Sequence, residues 1–256
     1  RKKPPNGEER DLLADWSRHS LDTFYRTAPP DPGRVTVRRL NRSEYNNVVR
    51  DLLFVDFKPA KDFPADDTGY GFDNIGDVLS MSPLLMEKYL DAAETIAVAA
   101  VVIPPKKEKP TEFQKEYFIL PVAKDSEAAV FKGFVAKFMR RAYRREIRDS
   151  EIARMISVSK AAAGEGAPLE AHVQVVIQAV MVSPHFLFRW ELDGAPSNPK
   201  AIRRLNEYEL ASRLAFFIWS SGPDDRLLDL AAKGALRKQL ESEVQRMLAD
   251  SRAEAL

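Results

Sequence analysis

At 256 residues, with 45% hydrophobic and 30% charged side chains, the chain is long enough for one large or two medium globular domains. A net charge of +1 sets up no global field toward nucleic acid or an anionic membrane, so no nucleic-acid partner is expected. The lack of cysteine excludes disulfides, thiolate metal sites, cysteine nucleophiles and covalently attached haem, and no cofactor is expected within the sequence.

In chain order, residues 8 to 26 read as a helix. Glu8 and Glu9 suit its positive end, and Leu12, Leu13, Trp16, Leu21 and Phe24 recur near helical spacing. The segment TAPPDPG, Thr27 to Gly33, then reads as a linker. Asn41 with Glu44 forms a capping-box pattern, and Tyr45, Val48, Val49, Leu52 and Leu53 give the next helix its apolar stripe. Ser82-Pro83 starts another helix, which Pro104-Pro105 ends. Residues 104–125, rich in lysine, glutamate and proline, read as a linker with room for a short extended piece around Tyr117 to Leu120.

A second helical block begins near Ser126 with Val130, Phe131, Phe134, Val135, Phe138 and Ala142 on one face. Asp149 is expected to cap the following helix, which Gly164-Glu165-Gly166 closes, and Pro168 to Val182 is helical until Ser183-Pro184. Asn206 with Glu209 repeats the capping box, Ser221-Gly222-Pro223-Asp224 turns the chain, and a last helix carries Leu240, Val244, Met247 and Leu248. No window sustains a period of two. The expected fold is all-α: two packed multi-helix blocks joined by a charged, proline-containing linker, with one irregular acidic loop. The longest apolar run, Ile96 to Ile103, is far short of a membrane span.

That loop, Asp62 to Asp77 (DFPADDTGYGFDNIGD), contains no lysine or arginine and is unlike the rest of the chain. Asp66, Asp67, Asp73, Asn74 and Asp77 are hard oxygen donors of the kind calcium takes, with calcium at Asp66, Asp67, Asp73 and Asp77 as the candidate set, though the spacing departs from the helix–loop–helix calcium pattern. Tyr70 and Phe72 add aromatic faces for a polar ligand such as a sugar. An enzyme reading makes Asp66, Asp67 or Asp73 an acid/base or metal ligand of a hydrolase or oxidoreductase. The structural alternative, which weighs more, has these aspartates form Asx turns and helix caps and pair with Arg38, Arg39, Arg42 and Arg50.

Two further features need a reading. The run KFMRRAYRREIR, Lys137 to Arg148, holds six bases against one acid and reads as a solvated or salt-bridged helix end, with an anionic partner as the alternative. Arg38-Arg39-Leu40-Asn41 with Glu44 is echoed by Arg203-Arg204-Leu205-Asn206 with Glu209, either as shared capping grammar or as a duplicated unit. None of His19, His172 and His185 has metal-ligand spacing, and His185 is expected to pack at a helix junction.

Longer runs carry a resemblance. RRLNRSEYNNVVRDLL followed by DFPADDTGYGFDNIGDVLSMSPLLMEKYLDAAE resembles the opening module of large exported planctomycetal proteins built of consecutive domains of unknown function. FVAKFMRRAYRREIRDSEIARM is similar to their second module. VSPHFLFRWE, LNEYELASRLAFFIWSSGPDDRLLDLAAKGAL and VQRMLADSRAEAL resemble the third. The first 25 residues, with KPPNGEERDLLADW, are similar to the final helix of the cytochrome c domain that precedes these modules. The resemblance implies a periplasmic or exported setting, a cytochrome c domain in cis and haem c in an upstream domain, but no known reaction. It divides the chain into 1–33 (end of a preceding domain plus linker), 34–103, the linker 104–125, 126–182, and 183–256, truncated at its end. The termini, RKKPPNGEER and SRAEAL, fit a fragment of a longer protein. The expectation is a non-catalytic scaffold or binding module, with a polysaccharide or polar small molecule as ligand, an active site on the acidic loop as one alternative and a calcium-stabilised module as another.

Overall fold

The structure, a computed structural model, describes residues 6–27, 37–55, 57–66, 79–103, 109–117, 124–164, 166–191, 198 and 202–255. It separates into two units, Arg1–Arg34 with Ser197–Ile202, and Val35–Pro196 with Arg203–Leu256.

In the first unit, α1 (Gly7–Thr27) starts on a reciprocal pair: Asn6 Oδ1 accepts from the Glu9 N–H, and Glu9 returns a carboxylate oxygen to the Asn6 N–H, both at 2.8 Å. None of its residues is buried, and Leu12, Leu13, Trp16, Leu21 and Phe24 are exposed.

Among the described residues the second unit is all-α apart from one short strand pair. Its elements are α2 (Arg42–Leu53), α3 (Pro83–Ala100), α4 (Glu112–Tyr117), α5 (Lys124–Tyr143), α6 (Asp149–Ala163), α7 (Leu169–Met181), α8 (Pro184–Leu187), α9 (Glu207–Trp219), α10 (Asp225–Ala232) and α11 (Leu240–Leu248). The capping boxes of Asn41–Glu44 and Asn206–Glu209 both form, and Ser82 Oγ accepts the Leu85 N–H at 3.2 Å. The α6 start differs from expectation by one residue. Arg148 is the cap, Asp149 is the first helical residue, and Glu151 accepts the Arg148 N–H at 3.0 Å. Gly234, at φ 62°, ends α10 in the left-handed region where a glycine carries no side-chain clash.

One core gathers Leu40, Tyr45 and Val49 of the first block with Phe113 of the expected linker and Phe138, Val173, Ile177 and Phe186 of the second block. A separate core of Ala215, Trp219, Leu227, Leu236 and Met247 holds α9 to α11 together. The larger core spans both sides of residues 104–125 and also takes in Phe216 of α9.

Within that expected linker, α4 is a packed helix. Phe113, Gln114 and Tyr117 are buried, with Phe113 and Tyr117 edge-on to Phe134 and Phe138 of α5 at 5.8–6.0 Å between ring centres. Gln114 fixes it in place: Oε1 accepts from Val102 N–H and Nε2 donates to Val102 O, both at 3.1 Å, as a strand neighbour would. The extended piece around Tyr117 to Leu120 is not what Tyr117 adopts; residues 118–120 lie outside the described residues.

The strand pair joins distant parts of the chain. β1 (Arg38–Arg39) runs antiparallel to β2 (Phe188–Arg189), with Arg38 opposite Arg189 and Arg39 opposite Phe188. Leu40 N–H extends the ladder to Leu187 O at 2.8 Å.

Tyr45 gives the first test of this core. It is fully buried among Phe63, Tyr89 and Phe186, and its hydroxyl has no hydrogen-bond partner among the described residues. Burial pushes the phenol far up from its ordinary value. An orphaned buried hydroxyl costs about 1–3 kcal/mol, so Tyr45→Phe is expected to leave stability unchanged or raise it by about 1 kcal/mol in urea denaturation. A loss above about 1 kcal/mol would show that the hydroxyl is engaged.

Candidate functional site

Of the acidic-loop residues singled out from the sequence, Asp66 is placed by the structure. Asp67, Tyr70, Phe72, Asp73, Asn74 and Asp77 lie outside the described residues. Asp66 is closed in. Its Oδ1 accepts from Arg39 Nη2 at 2.8 Å, and its Oδ2 from the Arg42 backbone N–H at 2.7 Å. Both side chains of the ion pair are almost fully buried, at 3% exposure for Arg39 and 6% for Asp66.

The geometry follows from local sequence. The capping box of α2 leaves its first amide, on Arg42, free to meet a carboxylate at the positive helix end. Arg39, held in β1, spends its other donors on Ser80 O, Leu40 O and the Tyr89 hydroxyl. Burial opposes the Arg39 charge, but Tyr89 and Asp66 beside it hold its pKa above the ordinary value. Asp66 is thereby a clamp that ties the root of the acidic loop to β1 and to the start of α2.

Among the described residues, the side chains of the other three arginines meet further partners. Arg38 pairs with Glu44 at 2.5 Å, and Arg50 with its neighbour Asp51 at 2.7 Å. Arg42 donates from its guanidinium to Ala60 O and Lys61 O, at 3.0 and 2.8 Å. The repeated motif repeats its geometry in part, since Arg203 pairs with Glu209 at 2.6 Å just as Arg38 does with Glu44. The second arginines diverge: Arg39 is buried on Asp66, while Arg204 is exposed.

A seam of arginines lies behind β1 and β2. Glu44 also faces Arg189 at 3.6 Å, and Arg189 lies 4.5 Å over the Phe216 ring. Arg144, just past α5, has the left-handed φ of 58° and is buried. Its Nη1 donates to Ala142 O, and its Nη2 to His185 O, Phe186 O and Phe188 O, at 2.8 to 3.2 Å. Burial, with Arg189 adding repulsion and Glu44 opposing it, lowers its pKa to about 9. This corrects the reading of Lys137–Arg148 as a solvated or salt-bridged helix end. The rest of that run does form surface pairs, Lys137 with Glu116, Arg140 with Asp229 and Arg145 with Glu151. Arg144 was not legible because its direction is set by one backbone angle, not by residue type.

His185 stands at the same junction, exposed, with its ring 5.2 Å from Tyr143 and 6.1 Å from Trp190. Partial burial and then the Arg145 charge hold its pKa below the usual histidine value. Among the described residues no group of three or more His, Asp or Glu could hold a metal ion, and no helix is long and apolar enough to cross a membrane.

Comparison with protein families gives three consecutive matches. PSD3, a protein of unknown function (DUF1587), matches residues 38–102; PSD5 (DUF1595) matches 131–191; PSD4 (DUF1592) matches 205–256. The chain carries these three modules in tandem. No curated protein matches it. No solved structure does either. The Arg39–Asp66 clamp belongs to the PSD3 module, whereas Arg144 and Arg189 belong to PSD5. Residues 183–191, grouped with the third module on sequence, fall within PSD5, in agreement with the packing of Phe186 and Leu187 in the larger core.

Two carboxylates at the surface are held below their ordinary range by arginine partners. A hydrogen bond from Arg145 holds Glu151 down to about 2, and one from Arg252 does the same for Asp250. Both folded values lie below the ordinary 4.5 and 3.8, so their contribution is present above those values and lost as pH falls toward about 2. The melting temperature is expected to drop through that window, and Glu151→Gln to shallow the drop. A melting temperature flat from pH 4.5 to 2 would contradict both assignments.

Proposed function

We propose that this chain is a non-catalytic helical scaffold and binding module of an exported, cytochrome c-linked planctomycetal protein. It works in a path of extracytoplasmic electron transfer or polysaccharide breakdown. Its partner in this reading is a cytochrome c domain in cis, with haem c in that upstream domain, and its setting is periplasmic or exported. The acidic loop is the part offered to a polar ligand or to the redox domain.

The observation that carries the scaffold part is the state of Asp66. Both of its carboxylate oxygens are engaged by Arg39 and by the first amide of α2, inside the protein. A carboxylate so held fixes a loop in position; using it as an acid, a base or a metal ligand would require breaking a buried ion pair. The three tandem modules of unknown function are compatible with this reading. The cytochrome link rests on the likeness of KPPNGEERDLLADW to the last helix of such a domain.

The full-length gene product tests the link. A CxxCH motif upstream of Arg1, together with c-type haem absorbance of the purified protein, is the expected result. A full-length protein with no haem-attachment motif would overturn it.

A further inference from the structure

Phe54 is the C-cap of α2, its N–H donating to Arg50 O at 2.9 Å, and with Arg144 and Ser220 it is one of the left-handed non-glycine residues among the described residues. It ends α2 at φ 56°, ψ 32°, a left-handed conformation that disfavours any side chain and that helices ordinarily assign to glycine. Its ring is 46% exposed, so burial does not compensate. Strained residues of this kind cluster where a ligand is held.

Beside the ring lies an open surface hollow of about 450 Å³ lined by Arg50, Asp51, Phe54, Val55 and Arg252. It draws on the first and third modules, PSD3 and PSD4. Its carboxylate, Asp51, accepts from Arg50 Nε and from Ser221 Oγ, each at 2.7 Å, and Asp224 stands 3.9 Å from Arg252. The two guanidinium groups are held but not used up. Arg50 gives Nη1 to Asn47, and Arg252 gives Nε and Nη2 to Asp250 while lying 3.6 Å from the Trp219 ring centre. That leaves Arg50 Nη2 and Arg252 Nη1 without a hydrogen-bond partner among the described residues.

We propose that this hollow binds a small organic anion with an aromatic body. The free N–H groups of Arg50 and Arg252 take the carboxylate or phosphate, and the ring of Phe54 covers the apolar part. Charge-assisted hydrogen bonds from guanidinium to such anions are among the strongest available to a side chain, and an aromatic ring prefers an aromatic neighbour. The site lies away from the acidic loop, and the proposal does not depend on the cytochrome link.

The test is a nuclear magnetic resonance titration of the whole chain with phenyl phosphate, benzoate and inorganic phosphate. Saturable shifts confined to Arg50, Asp51, Phe54, Val55 and Arg252 are expected for the two aromatic anions, with inorganic phosphate at least about tenfold weaker than phenyl phosphate. Phe54→Gly is expected to raise the melting temperature, by releasing the backbone, while weakening phenyl phosphate binding by about tenfold or more. Arg50→Gln, on the exposed rim, is expected to weaken it similarly with folding unchanged. The proposal is overturned by the absence of saturable shifts at millimolar probe, by equal binding of inorganic and phenyl phosphate, or by a Phe54→Gly variant that melts lower, which would make Phe54 a structural residue.

Discussion

Arg144→Ala is expected to destabilise the protein by about 3–5 kcal/mol in urea denaturation. One guanidinium donates to four backbone carbonyls, on Ala142, His185, Phe186 and Phe188. Each carbonyl left without a donor costs about 1–3 kcal/mol, and relief of the buried charge offsets part of the sum. Lysine carries the charge but not the planar fork, so Arg144→Lys is expected to recover less than half of the loss. Arg144→Gly should be about 1 kcal/mol less damaging than alanine, because φ 58° suits glycine. A variant within about 0.5 kcal/mol of the parent would show that water replaces the guanidinium easily.

The second large effect is expected at Asp66. Asp66→Asn keeps the shape and removes the charge, leaving Arg39 in a site of 3% exposure with no counter-ion. Breaking a buried pair from one side typically costs about 3–5 kcal/mol. The loss should reach both ends of the clamp, lowering hydrogen-exchange protection at the Arg42 amide and loosening the Tyr45, Phe63 and Tyr89 cluster. A found substrate whose turnover vanished in a fully stable Asp66→Asn protein would instead favour the enzyme reading of the loop.

Short-range grammar was the legible part of this fold. The Asn41–Glu44 and Asn206–Glu209 boxes form as their spacing requires, since both partners lie within one helical turn. The apolar stripes of α2, α5 and α7 fixed which faces are buried but not against what. Tyr45 and Phe186 therefore meet in one core across 140 residues with no local signal. Helix α4 was hidden by the lysines and prolines around it. Phe113 and Tyr117 are a four-residue repeat too short to register, and Gln114 earns its burial only from Val102. The strand pair is two residues long on each side, below any visible alternation. At the candidate site, sequence named Arg39 and Asp66 in one set, and the structure joins them. Among the described residues Arg38 meets Glu44 and Arg50 meets Asp51.

The central claim is that the root of the acidic loop is held by a buried clamp. A double-mutant cycle of Arg39→Met and Asp66→Leu, each alone and combined, measures it by urea denaturation of the whole chain. The account predicts a coupling of about 2 kcal/mol or more, with the double variant markedly more stable than either single one. Additive losses, with coupling below about 0.5 kcal/mol, would contradict it and release Asp66 for another role.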